Sequence, residues 1–325
     1  MTDRSHFVLG TPVTGGAFFG RHEELATIGR ALRDGKSVNF YSVRRIGKTS
    51  LLRQVEYLCQ TSELWKAYRP VFLDLEFRDE SLAYQLLRCC NYRGASLGIE
   101  RAWEYLRRLI RHSSEQRLLL LDEVSGWLHK AIDPKDQVGL YSLQREGLLA
   151  MVASTVTKPL VEQTDLISKT EIQAFPLGTF RPEEALDLLI TLWDRSGLNP
   201  EYELAQELAR YVGYNPCLVQ IIGHAAEFRI RSGLWIGVKE LMEEWLDGWG
   251  RSWLIEVMRP FVADEEEMDW ELLFWRARAY GLVIDGAAGM CVAPFLRDFL
   301  ANNDQALQLL YGMIEIENQG RRSNE

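Results

Sequence analysis

Gly47-Lys48-Thr49 joins a residue without a side chain, an ammonium and a hydroxyl in three consecutive positions. Where a strand turns into a helix, such a run suits a polyphosphate. Helix-terminal N–H groups and the positive end of the helix dipole face the anion. Lys48 would add charge near the β and γ phosphates, and Thr49 would offer its hydroxyl to Mg²⁺. Further on stands a pair of carboxylates, Asp122 and Glu123. Asp122 would hold Mg²⁺ through water, and Glu123 could orient or deprotonate an attacking water. Each fragment alone is weak, because helices often open with Gly-Lys-Thr and an Asp-Glu pair often only ends a strand or caps a helix. In this order and at this distance the two together are specific, and the chemistry they imply is hydrolysis of a nucleoside triphosphate.

The surrounding elements have to position these groups. Ser37-Val38-Asn39-Phe40-Tyr41 is apolar and β-prone, while Leu51, Leu52, Val55 and Leu58 recur at helical spacing. The loop between them fits G-x-x-x-x-G-K-[ST] except at its first position, where Ser42 stands and takes left-handed geometry less easily than glycine. Leu118-Leu119-Leu120-Leu121 reads as a strand buried on both faces, ending at the carboxylate pair. Further strands are expected at Pro70–Leu75, Gly147–Thr155 and Ile172–Leu177, with helices near 80–91 and 99–112. Strands alternating with helices predict a parallel three-layer α/β sheet. Ser154, at a strand tip, could sense a γ-phosphate or the lytic water, or serve only as a turn former.

Residues 1 to about 17 read as an irregular lead-in, and Phe18-Phe19-Gly20-Arg21-His22-Glu23-Glu24-Leu25 enters an amphipathic helix ending near Arg33. From Arg181 the period is helical, with segments near 181–196, 200–212, 217–232 and 236–247 broken at Gly213-Tyr214-Asn215-Pro216. After Gly248 follow a helix containing Trp253 and Met258, a helix over 268–280, a hairpin over 281–292 and a helix over 294–300, which is a winged-helix pattern. The expected domains are a core over 1–178, a helical lid over 179–247, and a winged helix with a tail over 248–325.

Composition narrows the classes. A chain of 325 residues exceeds one ordinary core. A formal net charge of -9 argues against a general polyanion binder. Five cysteines without C-x-x-C spacing indicate neither a disulfide framework nor zinc. No apolar stretch could span a bilayer and no leader is visible, so a cytoplasmic location without membrane contact is expected.

Taken together, the motifs resemble those of AAA+/STAND-type P-loop ATPases, including archaeal-type ATPases related to origin-recognition proteins. That group carries an FxGRxxEL box, a loop ending RRxGKTSL, a Walker B hhhhDE, a sensor-1 strand ending in serine, and a GGxP-like lid motif. Here these read Phe18 to Leu25, Arg44 to Leu51, Leu118 to Glu123, Val152-Ala153-Ser154, and Gly213 to Pro216. The resemblance implies a 5-1-4-3-2 parallel sheet, a helical lid and a C-terminal winged helix. It implies ATP and Mg²⁺ as ligands. Phe19, Gly20, Arg21, Arg45, Ile46, Gly47, Lys48, Thr49, Ser50 and Pro216 would surround the nucleotide, with Pro216 near the base. Thr49 and Asp122 would hold the metal, and Glu123, Lys48 and Ser154 would carry catalysis. Val156 to Glu171 contains no arginine, where ring-forming members place an arginine finger, and Arg145 and Arg181 are weak substitutes.

Three readings follow. One is a slowly hydrolysing switch, acting as a homo-oligomer or with a separate effector or sensor protein, in the signalling or phage-defence settings of STAND relatives. Another is a DNA-associated loader or transposition regulator. It is disfavoured because the helix before the hairpin sets Arg276 and Arg278 against Asp269 and Glu271, and the hairpin has no basic residue. The third retains nucleotide binding without hydrolysis. The absence of an N-K-x-D sequence favours ATP over GTP.

Overall fold

The computed structural model describes residues 5–75, 80–94, 97–113, 116–125, 134–156, 172–199, 201–233, 237–245, 270–286, 289–299, 308, 311–312 and 314–315. The chain divides into a core unit, Pro12–Leu177, and a second unit formed by Met1–Thr11 together with Gly178–Glu325.

The core unit runs α1 (His22–Arg33), β1 (Ser37–Ser42), α2 (Lys48–Thr61), β2 (Tyr68–Asp74), α3 (Leu82–Cys89), α4 (Ile99–Arg111), β3 (Gln116–Asp122), α5 (Pro134–Arg145), β4 (Leu149–Val156) and β5 (Ile172–Pro176). Its five strands pair in parallel in the order β2-β3-β4-β1-β5, the order that the resemblance to AAA+/STAND-type ATPases implies. β1 and β3 are separated by β4, so the tips of three central strands are neighbours. The four leucines of β3 are essentially fully buried. Leu119 and Leu121 point into a cluster with Leu86, Trp103, Leu106 and Leu140 of α3, α4 and α5. On the other side α2 packs over β2, β3 and β4, and α1 over β1. Burial on two faces is why β3 is a continuous apolar run; each leucine kept from water contributes about 1.5–3 kcal/mol. The outer strands carry Pro70 and Pro176, whose missing N–H groups are tolerable only at an edge.

α5 has no counterpart among the expected elements. It packs through Gly139, where an added Cβ would fall 2.3 Å from Trp103 Cδ2, and through Asp136. That carboxylate is buried and accepts hydrogen bonds from Leu82 N (2.8 Å), Ala83 N (3.2 Å), Ser81 Oγ (2.8 Å) and Trp103 Nε1 (3.0 Å). A side chain from α5 thereby caps the N-terminus of α3.

The second unit contains α6 (Pro182–Arg195), α7 (Tyr202–Tyr211), α8 (Pro216–Arg231), α9 (Val238–Trp245), α10 (Trp270–Ala279), the antiparallel hairpin β6 (Val283–Gly286) and β7 (Gly289–Val292), and α11 (Pro294–Phe299). Asn215 caps α8, accepting from Cys217 N (3.0 Å) and Leu218 N (3.2 Å) and donating to the Tyr280 carbonyl (2.9 Å). Gly213 packs so tightly on Gly281 that a Cβ would lie 1.9 Å from its carbonyl oxygen, and Tyr214 beside it takes a left-handed φ of 56°. Helix, hairpin and helix occur where expected. The helix anticipated around Trp253 lies outside the described residues, as does the segment 157–171.

The first residues are not a bare lead-in. Phe7 is buried against α8 where Gly223 leaves room: a Cβ there would lie 2.4 Å from Phe7 Cε1. The Ser5 hydroxyl donates to Glu227 Oε2 (2.7 Å) and lies 2.9 Å from His224 Nδ1, while Val8 N donates to Gln220 Oε1 (3.1 Å). Among the described residues, no helix is long and apolar enough to cross a membrane.

Candidate functional site

β1 ends at Ser42, and the chain turns through Val43–Gly47 into α2. The turn is built from two left-handed residues, Arg45 (φ 64°) and Gly47 (φ 92°). At Gly47, the residue capping α2, an added Cβ would meet nothing within 4 Å, so the backbone faces open space. The first N–H groups of α2 have no intrahelical acceptor, which leaves them for an anion. Ile46 is fully buried and anchors the loop. The buried Lys48 side chain folds back, donating to the Val43 carbonyl (2.9 Å) and lying 3.3 Å from Glu123 Oε1.

The tips of β3 and β4 supply the acidic side. Thr49 Oγ1 donates to Asp122 Oδ2 at 2.6 Å, and Ser154 Oγ donates to Asp122 Oδ1 at 2.5 Å. The same serine oxygen accepts from Glu123 N (3.1 Å), and Ser125 Oγ accepts from Val156 N (3.0 Å). Glu123 leaves the strand in a left-handed conformation (φ 52°), and its side chain stays 19% exposed while Asp122 is buried. Non-glycine residues held in left-handed backbone cluster at functional sites, and Glu123 adds a carboxylate that solvent can reach. Lys48, Thr49, Asp122, Glu123 and Ser154 are therefore one bonded constellation.

The remaining expected residues divide. Arg21 is buried and left-handed (φ 62°), and it braces the loop from behind: Nη2 donates to the Ile46 carbonyl (3.2 Å) and Nη1 pairs with Glu24 (2.9 Å). Gly20 before it is also left-handed (φ 65°), and Phe19 is half-buried. Ser50 Oγ accepts from Val13 N (3.2 Å) and Arg45 is exposed. Pro216 belongs to the second unit, at the first position of α8. Arg145 ends α5 with an exposed side chain, and Arg181 caps α6 and pairs with Glu184 (3.2 Å).

Ser42 is a finding the motif did not anticipate. It keeps ordinary strand geometry, opposite Val156, so the glycine-like freedom expected at this position is not needed. Its buried hydroxyl donates to the carbonyl of Leu177, just past β5. A serine at the end of a strand was the only signal. A second buried polar pair, Asn39 and Thr155 (Nδ2 to Oγ1, 3.2 Å), joins the interior of β1, three residues before Ser42, to the residue after Ser154 in β4, and an asparagine inside an apolar strand was its sole mark.

Among solved structures, the chain is similar to a Walker-type ATPase of Pyrococcus abyssi at 12% identity and a TM-score of 0.60, covering 91% of this chain and 99% of that one. It is similar to Cdc6p of Pyrobaculum aerophilum at 12% identity and 0.52, covering 92% and 97%. It is also similar to the Orc1 protein of Aeropyrum pernix, solved in complex with DNA, at 16% identity and 0.51, covering 90% and 95%. No family model matches the sequence, and no curated protein does.

Proposed function

We propose that this chain, whose fold is that of the AAA+ P-loop ATPases, binds ATP at the start of α2 and hydrolyses it slowly as a nucleotide-dependent switch. The supporting observation is the constellation in which one buried carboxylate, Asp122, is shared by Thr49 and Ser154 while Lys48 pairs with the neighbouring Glu123.

Each residue then has a task. The N–H groups at the start of α2 and the Lys48 ammonium hold the phosphates. Thr49 and Asp122, two oxygen donors 2.6 Å apart, fit a hard cation and would hold Mg²⁺. Bound there, Mg²⁺ would neutralise charge developing on the phosphates. Glu123 Oε1 accepts the proton of the attacking water, and Ser154 fixes the Asp122–Glu123 turn by bonding both residues. Arg21 holds the Ile46 carbonyl of the loop and would keep that acceptor from facing the anion. No arginine occurs over Val156 to Glu171, which supports slow turnover. The nucleotide state would control association with a second copy or a separate effector. ATP turnover by the wild type and by Glu123→Gln tests the reading. Sizing with and without ATP tests the switch. Equal turnover by both proteins, or no turnover by either, defeats the enzyme.

A DNA-associated reading has one observation behind it, the DNA in the Aeropyrum pernix structure. Against it, Arg278 of α10 is paired with Asp285 of the hairpin (3.1 Å), and Val283 to Val292 holds no basic residue. A duplex titration at two salt concentrations decides: phosphate contacts would weaken steeply with salt.

A further inference from the structure

We propose that Ser42, standing where the phosphate-loop motif has glycine, is a positioning residue that ties the loop to the joint between the two units. The inference rests on the loop's being a nucleotide site and adds what that site acts upon.

The argument begins at Leu177. Its N–H donates to the Tyr41 carbonyl (2.9 Å) and its carbonyl accepts from the Ser42 hydroxyl, so both of its backbone polar groups are held by consecutive residues of β1. Its side chain is fully buried. Leu177 is also the last residue of the core unit, and Gly178 is the first of the long part of the second. By Phe180, whose N–H donates to the Tyr214 carbonyl at 3.0 Å, the chain is bonded within the second unit. The passage from one unit to the other is therefore short, and its near end is clamped by Ser42.

At its other side Ser42 is followed by Val43, whose carbonyl is held by Lys48 Nζ at 2.9 Å. The lysine's backbone partner, Val43, is thus the residue next to the clamp on the joint. When Lys48 turns to a phosphate it lets go of the Val43 carbonyl. The Val43–Arg44 peptide, to which that carbonyl belongs, is then free to rotate, and the adjacent Ser42 hydroxyl shifts its bond to the Leu177 carbonyl with it. A glycine could form the loop but could not make this bond. Because Ser42 needs no left-handed φ, nothing in the loop requires glycine here.

The test compares Ser42→Gly, Ser42→Ala and Ser42→Thr in the full chain. ATP affinity is read with a fluorescent ATP analogue, turnover as kcat and KM, and the joint by hydrogen exchange of Gly178–Arg181 with and without ATP. Ser42→Gly and Ser42→Ala should bind ATP within about threefold of wild type, change kcat by about fivefold or more, and lose most of the ATP-dependent change in exchange at the joint. Ser42→Thr, which keeps the hydroxyl, should restore both. Wild-type kcat and wild-type exchange in Ser42→Gly would overturn the proposal. Failure of the wild type itself to bind ATP would overturn the nucleotide reading and this inference with it, and the affinity measurement alone distinguishes that case.

Discussion

Thr49 and Asp122 meet at 2.6 Å, hydroxyl to carboxylate, although they come from the start of a helix and the end of a strand two positions away in the sheet from the strand that leads into it. Because Asp122 also accepts from Ser154 at 2.5 Å, one buried side chain joins α2, β3 and β4. Charge-assisted bonds of this kind are short and about twice as strong as neutral ones. The two sides of the proposed site, one to hold phosphate and one to face the attacking water, are thereby held in fixed relation, which would lower the ordering cost of binding.

Lys48→Ala should lower ATP affinity by about 100-fold or more, which corresponds to about 3 kcal/mol. The variant should still fold, since the ammonium's partners are a carbonyl and a carboxylate that keeps 19% exposure. Titration calorimetry and a melting curve check the two statements, and unchanged affinity would remove Lys48 from the phosphate site.

Glu123→Gln should retain ATP binding and lose turnover by about 10²- to 10⁴-fold, the range for removal of a general base. The side-chain shape is kept, so a fall in affinity of the same size would indicate structural damage instead. Single-turnover kinetics separate the two.

Asp136→Ala should destabilise the core unit by about 3 kcal/mol or more, because Leu82 N, Ala83 N, Ser81 and Trp103 would lose a shared buried acceptor. Urea unfolding monitored by tryptophan fluorescence measures it. A change under about 1 kcal/mol would mean that water replaces the carboxylate.

The Cys59 thiol is pushed up to about 12, first by burial and then by the charge of Glu56. The fold therefore favours the neutral thiol. This contribution is complete below the unfolded thiol's pKa of about 8.5 and is lost as pH rises from there toward 12. Melting temperatures of wild type and Cys59→Ala should draw together between those limits, and a constant difference across them would refute the burial effect.

What was legible in the sequence was what burial and backbone geometry impose locally. The four leucines of β3 are apolar because both faces of that strand are covered, and Gly47 is a glycine because φ there is 92°. Lys48, Thr49, Asp122, Glu123 and Ser154 could be picked out because each sits at a strand tip or helix start. α5 was not, since two of its inward-facing residues, Asp136 and Gly139, are not large apolar ones, and Leu140 and Leu143 alone make no apolar stripe at helical spacing. The bond from Ser42 to Leu177 and the bracing of the Ile46 carbonyl by Arg21 join residues far apart along the chain, and no local pattern encodes such pairs. The same holds for Phe7, whose partner Gly223 is an unremarked glycine within a helix.

Phe7 carries a consequence for biosynthesis. The surface it fills belongs to α8, so the aromatic ring leaves the ribosome some two hundred residues before its seat exists. At about 5–20 residues per second that interval is on the order of 10–40 s. The core unit is complete in sequence by Leu177, while Phe7 still lacks its seat on α8. Nascent chains halted before α8 should therefore engage holdase chaperones through their first residues, and Phe7→Ser should release them.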